Sequence, residues 1–502
     1  MHTVQLLLRP TAYECSELDR RFHAISHIHN VCVSHADKLL VRLEHDNEYQ
    51  AWRKEYLSIP KESKGAPAKH RKKLSSLMAD RRKELGLSKT GFESRLKVCG
   101  KRYSRLLSSQ QVQAEADRVW ASVEKYLFGN GKKVHFKKHM DFQTIGGKSN
   151  RNGAKFDRDT MTVSWNGLEM KCYFPKKESS REYILESMEH KISYCVVKRL
   201  MFSSGWRYYL ELVLDGPAPG ERRKSGDKVM GIDPGVSTIA GVSDKGCILT
   251  ELAPDADIYE KGIRKLQDSM DRSRRHSNPQ NYDPNGTVKK GRKTWKYSKN
   301  YLRMRKQLKN LYRKKSAYIL TIHRELCNRL IRDSGHFLVE KMQYKALQKK
   351  AKKTEREEKV SEVKAKNGTI RQVHKYKKKK RFGHSINRRA PAAFLRELER
   401  KAVSAGGTYV EVDTQSFKAS QYDHFTDTCK KTTLKERKKE IGGRMVQRDL
   451  YSAFLIKNAA PDLKHPDREK CIYEFERFAD MQDALLHKMR EEGISYKQCF
   501  GF

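Results

Sequence analysis

Apolar and polar positions fall into three rhythms along this 502-residue chain. Residues 3–8, Thr3-Val4-Gln5-Leu6-Leu7-Leu8, predict a short strand. From Ser16 to about Tyr126, apolar residues recur every three or four positions, as in Ala51 to Leu57 and Gln113 to Leu127, and predict a polar helical lobe. Ile59 to Lys73, with Pro60, Gly65 and Pro67, predicts a loop within it. Trp52 and Trp120 are expected in the lobe's core, with stacking on bases as the alternative. After Gly129-Asn130-Gly131 the chain turns β-rich as far as Leu214. Met161 to Trp165, Lys191 to Lys198 and Trp206 to Leu214 are dense in β-branched and aromatic residues, with turns at Gly146-Gly147, Asn166-Gly167 and Ser203-Ser204-Gly205. A small twisted sheet or β-barrel is expected, joined by the strand at 3–8, with the helical lobe inserted between. The basic loop from Lys148 to Gly153 suits either phosphate contact or a plain hairpin turn.

A Pro/Gly-rich linker, Gly216 to Gly226, separates this half from the next. Lys228 to Asp233, Ile239 to Val242 and Cys247 to Thr250 predict a three-stranded meander. A Lys/Arg-loaded segment runs on to Lys296, with a loop at Ser277 to Gly286. A long amphipathic helix follows over 297–333, its stripe made by Tyr301, Met304, Leu308, Leu311, Ile319, Ile322, Leu326 and Leu330. Gly335 stops it, and His336 to Glu340 predicts a strand. Residues 348–390 are rich in Lys and Arg, and their first part reads as a mobile or RNA-ordered segment, with a solvated charged helix as the alternative. A helix from Pro391 to Ser404, a strand from Thr408 to Asp413 and a helix start at Gln447 to Ile456 complete the pattern. Glu/Lys-rich helices are expected after Asn458.

Charge changes the picture most. There are 106 Lys and Arg against 61 Asp and Glu, a net +45 spread along almost the whole chain. Such a chain repels itself unless a polyanion neutralises it, and nucleic acid is the expected partner. No apolar run approaches the ~20 residues of a membrane span, and no signal-peptide pattern opens the sequence. A cytoplasmic, nucleic-acid-associated, prokaryotic location is expected. Ten cysteines occur without any Cys-x-x-Cys. They are read as free thiols in a reducing compartment rather than a disulfide framework or zinc knuckle.

Three acids carry the candidate chemistry. Asp233 ends an apolar strand and precedes Pro234-Gly235. Glu340 ends a second strand, and Asp449 opens a helix after Arg448. An unpaired charge costs several kcal/mol to bury, so acids at such positions are expected at an edge, holding something positive. The order meander, basic helix, strand, helix, strand, helix suits an RNase H-like fold, which can gather the three. Clustered carboxylates bind hard divalent cations. Two such ions, ~4 Å apart, can drive phosphodiester hydrolysis. Asp413 is a lesser candidate, read as structural. Arg448 is expected to position a scissile phosphate or to pair with a neighbour.

Gly231-Ile232-Asp233-Pro234-Gly235-Val236-Ser237, Phe337 to Met342 and Gln447 to Ala453 resemble the three RuvC motifs of TnpB. TnpB is the RNA-guided nuclease of insertion sequences, and is similar to compact type V CRISPR effectors. Weaker likeness lies at Ser385-Ile386, Phe394, Lys401-Ala402, Glu411 to Asp413 and Ala419 to Gln421. The resemblance covers about Lys228 to Asn458, and is one of layout alone before that. It implies an α+β multidomain protein: a β-barrel wedge domain (1–12 and 130–227), an inserted helical recognition lobe (13–129) and an RNase H-like RuvC nuclease domain (228–420 and 445–502). It implies guide-directed DNA cleavage beside a short flanking motif, with Asp233, Glu340 and Asp449 as catalytic metal ligands for Mg²⁺. The partners it implies are a guide RNA and target double-stranded DNA, and no membrane, on a monomer or homodimer bound to the RNA. One departure is plain. Where the family carries a four-cysteine zinc ribbon, residues 421–444 hold a single cysteine. A zinc-free basic insert is expected, the alternative being an unusual metal site from Asp423, His424, Asp427 and Cys429. The rival functions are a guided binder that does not cut, a transposase or recombinase accessory protein, and a guide-free junction resolvase.

Overall fold

The structure is a computed structural model, and describes residues 1–60, 62–219, 225–284, 286–348, 356–364, 370–376, 382–430 and 436–494. The chain separates into two compact units, Met1–Gly220 and Glu221–Phe502.

In the first unit, β1 (His2–Leu8) leads into five helices: α1 (Ala12–Glu44), α2 (Asn47–Ser58), α3 (Ala66–Glu84), α4 (Lys89–Arg102) and α5 (Ser109–Leu127). Side-chain caps set their starts. Thr11 with Glu14, and Ser108 with Gln111, form capping boxes, and Asp46 and Ser88 each accept one amide. The loop expected up to Lys73 ends earlier, because Pro67 sits in the first turn of α3, where its missing N–H costs nothing. Six strands follow: β2 (Thr144–Gly146), β3 (Lys155–Asp157), β4 (Thr162–Trp165), β5 (Leu168–Tyr173), β6 (Lys191–Phe202) and β7 (Gly205–Asp215). A helix that the β-rich reading passed over, α6 (Glu178–Ser187), lies between β5 and β6. The strand order is β2-β6-β7-β1-β5-β4-β3, with β1 central as expected from residues 3–8. Its two edge strands are three residues each and do not pair with one another, so the pairing gives an open sheet rather than the closed barrel.

Helices and sheet share one core. Trp165 is fully buried, and its indole N–H donates to Gln111 at 3.1 Å. Arg21 donates to the Trp165 and Asn166 carbonyls. Trp52 and Trp120 pack against the core, as expected. Lys148 of the basic loop is engaged inward, 2.9 Å from both Glu93 and Asp117, so it is not a free phosphate contact.

The second unit is built on a five-stranded sheet. Its elements are β8 (Val229–Pro234), β9 (Thr238–Ser243), β10 (Gly246–Glu251), α7 (Ala256–Ser277), α8 (Lys299–Asp333), β11 (His336–Glu340), α9 (Tyr344–Leu347), β12 (Arg356–Lys364), β13 (Ile370–Tyr376), α10 (Gly383–Arg389), α11 (Pro391–Ser404), β14 (Thr408–Val412) and α12 (Thr414–Phe417). After them come β15 (Tyr422–Asp423), β16 (Thr428–Cys429), β17 (Lys438–Ile441), β18 (Arg444–Gln447), α13 (Arg448–Lys457) and α14 (Arg468–Glu491). The main sheet runs β10-β9-β8-β11-β14. The first three strands form the antiparallel meander, and β11 and β14 join parallel to β8.

Two expectations change here. The Lys/Arg-loaded segment after β10 contains α7, which packs along α8, with buried Lys315 of α8 bonded to Glu260 of α7. Within 348–390 the described residues hold the short basic helix α10 and a hairpin, β12 with β13. Its β-branched positions, Val360, Val363, Ile370 and Val373, favour extended backbone. The rest of 349–381 lies outside the described residues, as do 431–435 of the basic insert.

Helix α13 is buried along nearly its whole length. One face lies directly on β8, and this contact needs Gly231. A Cβ there would stand inside contact distance of the Ala453 carbonyl oxygen and the Lys457 amide of α13. The other face packs on α14 through an aromatic cluster. Phe454 stacks on Phe478 at 4.5 Å, and His424 lies against Phe475 at 5.0 Å. Buried Lys457 closes the helix with ion pairs to Asp244 (2.6 Å) and Glu474 (2.5 Å).

Two predictions follow from this packing. Gly231→Ala should lower the stability of the second unit by about 3 kcal/mol, since backbone cannot yield as a side chain does; thermal unfolding of the variant against the unaltered chain measures it. Burial pushes His424 and His323 down from the ordinary 6.5 to about 4. Their unfolded forms therefore bind protons first, and stability should fall as pH drops from about 6.5 to about 4, by at most about 3 kcal/mol per histidine. His424→Gln should flatten that part of the stability–pH curve, and an unchanged slope would refute the assignment.

Candidate active site

The apolar run Val229-Met230-Gly231-Ile232 buries β8 between neighbours, and Asp233 follows at its carboxyl end. Pro234-Gly235 then breaks the strand, and the Gly235 amide donates to the Thr238 carbonyl at 2.9 Å to turn the chain into β9. Strand β11 repeats the arrangement. It runs parallel to β8, with His336 opposite Val229 and Val339 opposite Ile232. Its last residue, Glu340, therefore falls beside Asp233 at the same sheet edge. Their carboxyl groups share a hydrogen bond.

Asp449 arrives from the other direction, in the first turn of α13. Gln447 caps that helix, accepting from the Leu450 amide at 2.7 Å. A helix N-terminus favours negative charge. Two arginines hold the Asp449 carboxylate. Arg448 donates to one oxygen from two nitrogens, at 2.9 and 3.1 Å, and Arg437 to the other at 3.3 Å. Arg448 also donates to the Glu436 carbonyl at 3.2 Å.

The electrostatics follow from this crowding. Burial holds the Asp233 carboxyl well above the usual range, and the Glu340 and Asp449 charges push it further. Burial and the Asp449 charge raise Glu340 as well. Each of two carboxyls so close disfavours the other's ionised form, and a bound cation would relieve that repulsion. Tyr344 of α9 braces the turn, its hydroxyl donating to the Gly235 carbonyl at 3.0 Å. All three acids keep partial solvent access, so an ion from solution can reach them.

The three predicted residues thus meet electrostatically but not as a finished cage. Among the described residues no three His, Cys, Asp or Glu side chains are gathered at metal-ligand spacing. The reason is visible: Asp449 is committed to Arg448 and Arg437. The donor set itself, carboxylate oxygens only, fits a hard divalent cation.

The other candidates are accounted for separately. Asp413 caps α12, accepting from the Ser416 amide at 3.2 Å, which is a structural role. In the insert, Asp423 accepts from the Phe425 amide, Asp427 accepts from the Tyr422 hydroxyl, and Cys429 is exposed. His424 turns inward, its Nδ1 2.8 Å from the Tyr451 hydroxyl. Arg437, Tyr344 and Gly231 were not singled out from the sequence. Only Gly231 carried a signal, a glycine inside a buried strand one residue before the motif's Ile232-Asp233.

No protein-family model matches the chain, and no curated protein is similar to it. Among solved structures it is similar to a Cas12f1–sgRNA–target DNA complex, at 12% identity and a TM-score of 0.45, covering 92% of this chain and 99% of that one. It is also similar to a CRISPR-Cas12f ternary complex, at 14% identity and a TM-score of 0.26, covering 89% and 82%. Among the described residues no helix is long and apolar enough to cross a membrane.

The crowded carboxyls make a prediction about cation response. Mn²⁺ or Mg²⁺ should raise the melting temperature of the unaltered chain relative to chelator, because only the folded state gathers the acids. Asp233→Asn should melt higher than the unaltered chain in chelator and lose the response to cation. A response undiminished in the variant would place cation binding elsewhere.

Proposed function

We propose that the chain is an RNA-guided DNA endonuclease, cutting at a RuvC-type site made by Asp233, Glu340 and Asp449 with Mg²⁺. The observation that carries this reading is the shared hydrogen bond between Asp233 and Glu340 at one edge of two parallel strands, with the Asp449 charge acting on both. A protein gains nothing in stability by placing two buried acids in contact within reach of a third charge, which favours a functional reading of the arrangement. Support for an RNase H-like unit comes from its strand order, a meander with two parallel strands added beside the first. The net charge of +45 supports nucleic-acid binding. The RNA guide and the flanking motif are inferred from the resemblance of the three sequence motifs to TnpB.

Asp233 and Glu340 would hold the ions, with Asp449 completing the set. When bound there, divalent ions supply Lewis-acid activation of water and charge stabilisation at a phosphodiester. The chain's own residues do the rest. The buried strands fix Asp233 and Glu340, and Tyr344 braces the turn behind them. Arg448 and Arg437 neutralise Asp449 until substrate and ions arrive, and a guanidinium released from it can hold a phosphate oxygen in two-point contact. In the first unit the helices serve as the recognition lobe and the open sheet as the wedge domain.

RNA should co-purify with the protein, and reprogramming its guide segment should redirect cutting of a plasmid in the presence of Mg²⁺. Asp233→Ala, Glu340→Ala and Asp449→Ala should each cut slower by roughly 10²–10³-fold or more while binding guide and target as before. Guided binding with no cutting by the unaltered chain would establish the regulator instead, and cutting independent of RNA would establish a resolvase.

A further inference from the structure

The first unit holds a cavity of about 390 Å³ where β1 meets the tip of the β6–β7 hairpin. The volume lies within the ~300–1,000 Å³ of small-ligand sites. Its floor is apolar, made by Leu8, Cys15 and Tyr208, with Trp206 as one wall. Arg9 and Arg207 stand exposed at its rim. Each guanidinium lies over an aromatic ring, Arg9 at 4.9 Å from Tyr173 and Arg207 at 4.3 Å from Phe202. Neither pairs with a carboxylate among the described residues, whereas many of the unit's other arginines do, including Arg20, Arg21, Arg81, Arg118 and Arg199.

Trp206 is held from behind. Arg199, fully buried, lies 4.4 Å from its ring and is itself fixed by Asp19 and by the Phe142 and His139 carbonyls. The wall therefore stands ready, with its orientation set before any ligand enters. A slot with an aromatic wall, an apolar floor and, at the mouth, two guanidiniums stacked on rings but without a carboxylate among the described residues suits a flat heterocycle carrying an anion on a short linker.

We propose that this cavity takes one unstacked nucleotide of the bound RNA, its base against Trp206 and its flanking phosphates on Arg9 and Arg207. RNA is the occupant because its loops and bulges already present splayed bases to proteins, whereas duplex DNA must first unpair and unstack one. The inference rests on the RNA-binding reading above and adds a specific site to it.

Ultraviolet crosslinking of the full-length RNA-bound protein, followed by mass spectrometry, tests it. Ribonucleotide adducts are expected on the peptides carrying Cys15 or Trp206. Trp206→Ala, and independently Arg9→Ala with Arg207→Ala, should weaken binding of that RNA about tenfold or more. Trp206→Phe should restore most of it, which a merely structural loss would not allow. The rim pair keeps the test sound if the Trp206 variant misfolds. Adducts elsewhere with guided cutting intact would overturn this site and spare the function. Deoxynucleotide adducts at the cavity would overturn the choice of RNA, and protein free of RNA would overturn both readings.

Discussion

The second unit depends on one close approach, α13 lying directly on β8. Helix backbone takes the space that a side chain at position 231 would fill. Only a glycine permits that separation. The approach delivers the N-terminus of α13, and with it Asp449, to the sheet edge that already carries Asp233 and Glu340. The far side of the helix is clamped by Phe475 and Phe478 of α14 and by the double ion pair of Lys457. The tail after Asn458, whose purpose the sequence did not disclose, thus presses α13 onto the sheet.

That packing imposes an electrostatic load. Desolvation and mutual repulsion both disfavour ionised acids at this edge, and the metal-free protein meets the load in two ways. The Asp233 and Glu340 carboxyls are held above their usual range, and Asp449 borrows two guanidiniums. Both solutions are provisional in chemical terms, since a divalent cation can relieve the repulsion and a phosphate can compete for the arginines. Beside this edge an aromatic core around His424, Tyr451 and Phe454 packs α13.

Much of this was legible in the sequence where one local rule decided the outcome. The apolar run before Asp233, the glycine stop before His336 and the meander spacing each fix a strand and its end without reference to distant residues. Asp233 and Glu340 stand out because a carboxylate at the end of a buried strand has few structural reasons to be there. What stayed hidden was decided by tertiary context. Helix α7 reads as a charged stretch until its narrow apolar edge finds α8. The hairpin of β12 and β13 is masked by its lysines. Arg437 pairs with Asp449 from 12 positions earlier in the chain, which no spacing rule reports. The insert at 421–444 lacks ribbon cysteines, and its His424 serves as an aromatic pin, an arrangement visible only once Tyr451 and Phe475 are in place.

Anomalous scattering from Mn²⁺ in crystals of the complex with RNA and target DNA measures the central claim most directly. The account predicts manganese peaks touching carboxylate oxygens of Asp233, Glu340 and Asp449, with Arg448 turned from Asp449 onto a phosphate. Manganese bound elsewhere, with Arg448 and Arg437 still on Asp449 and the scissile strand seated at the sheet edge, would contradict it.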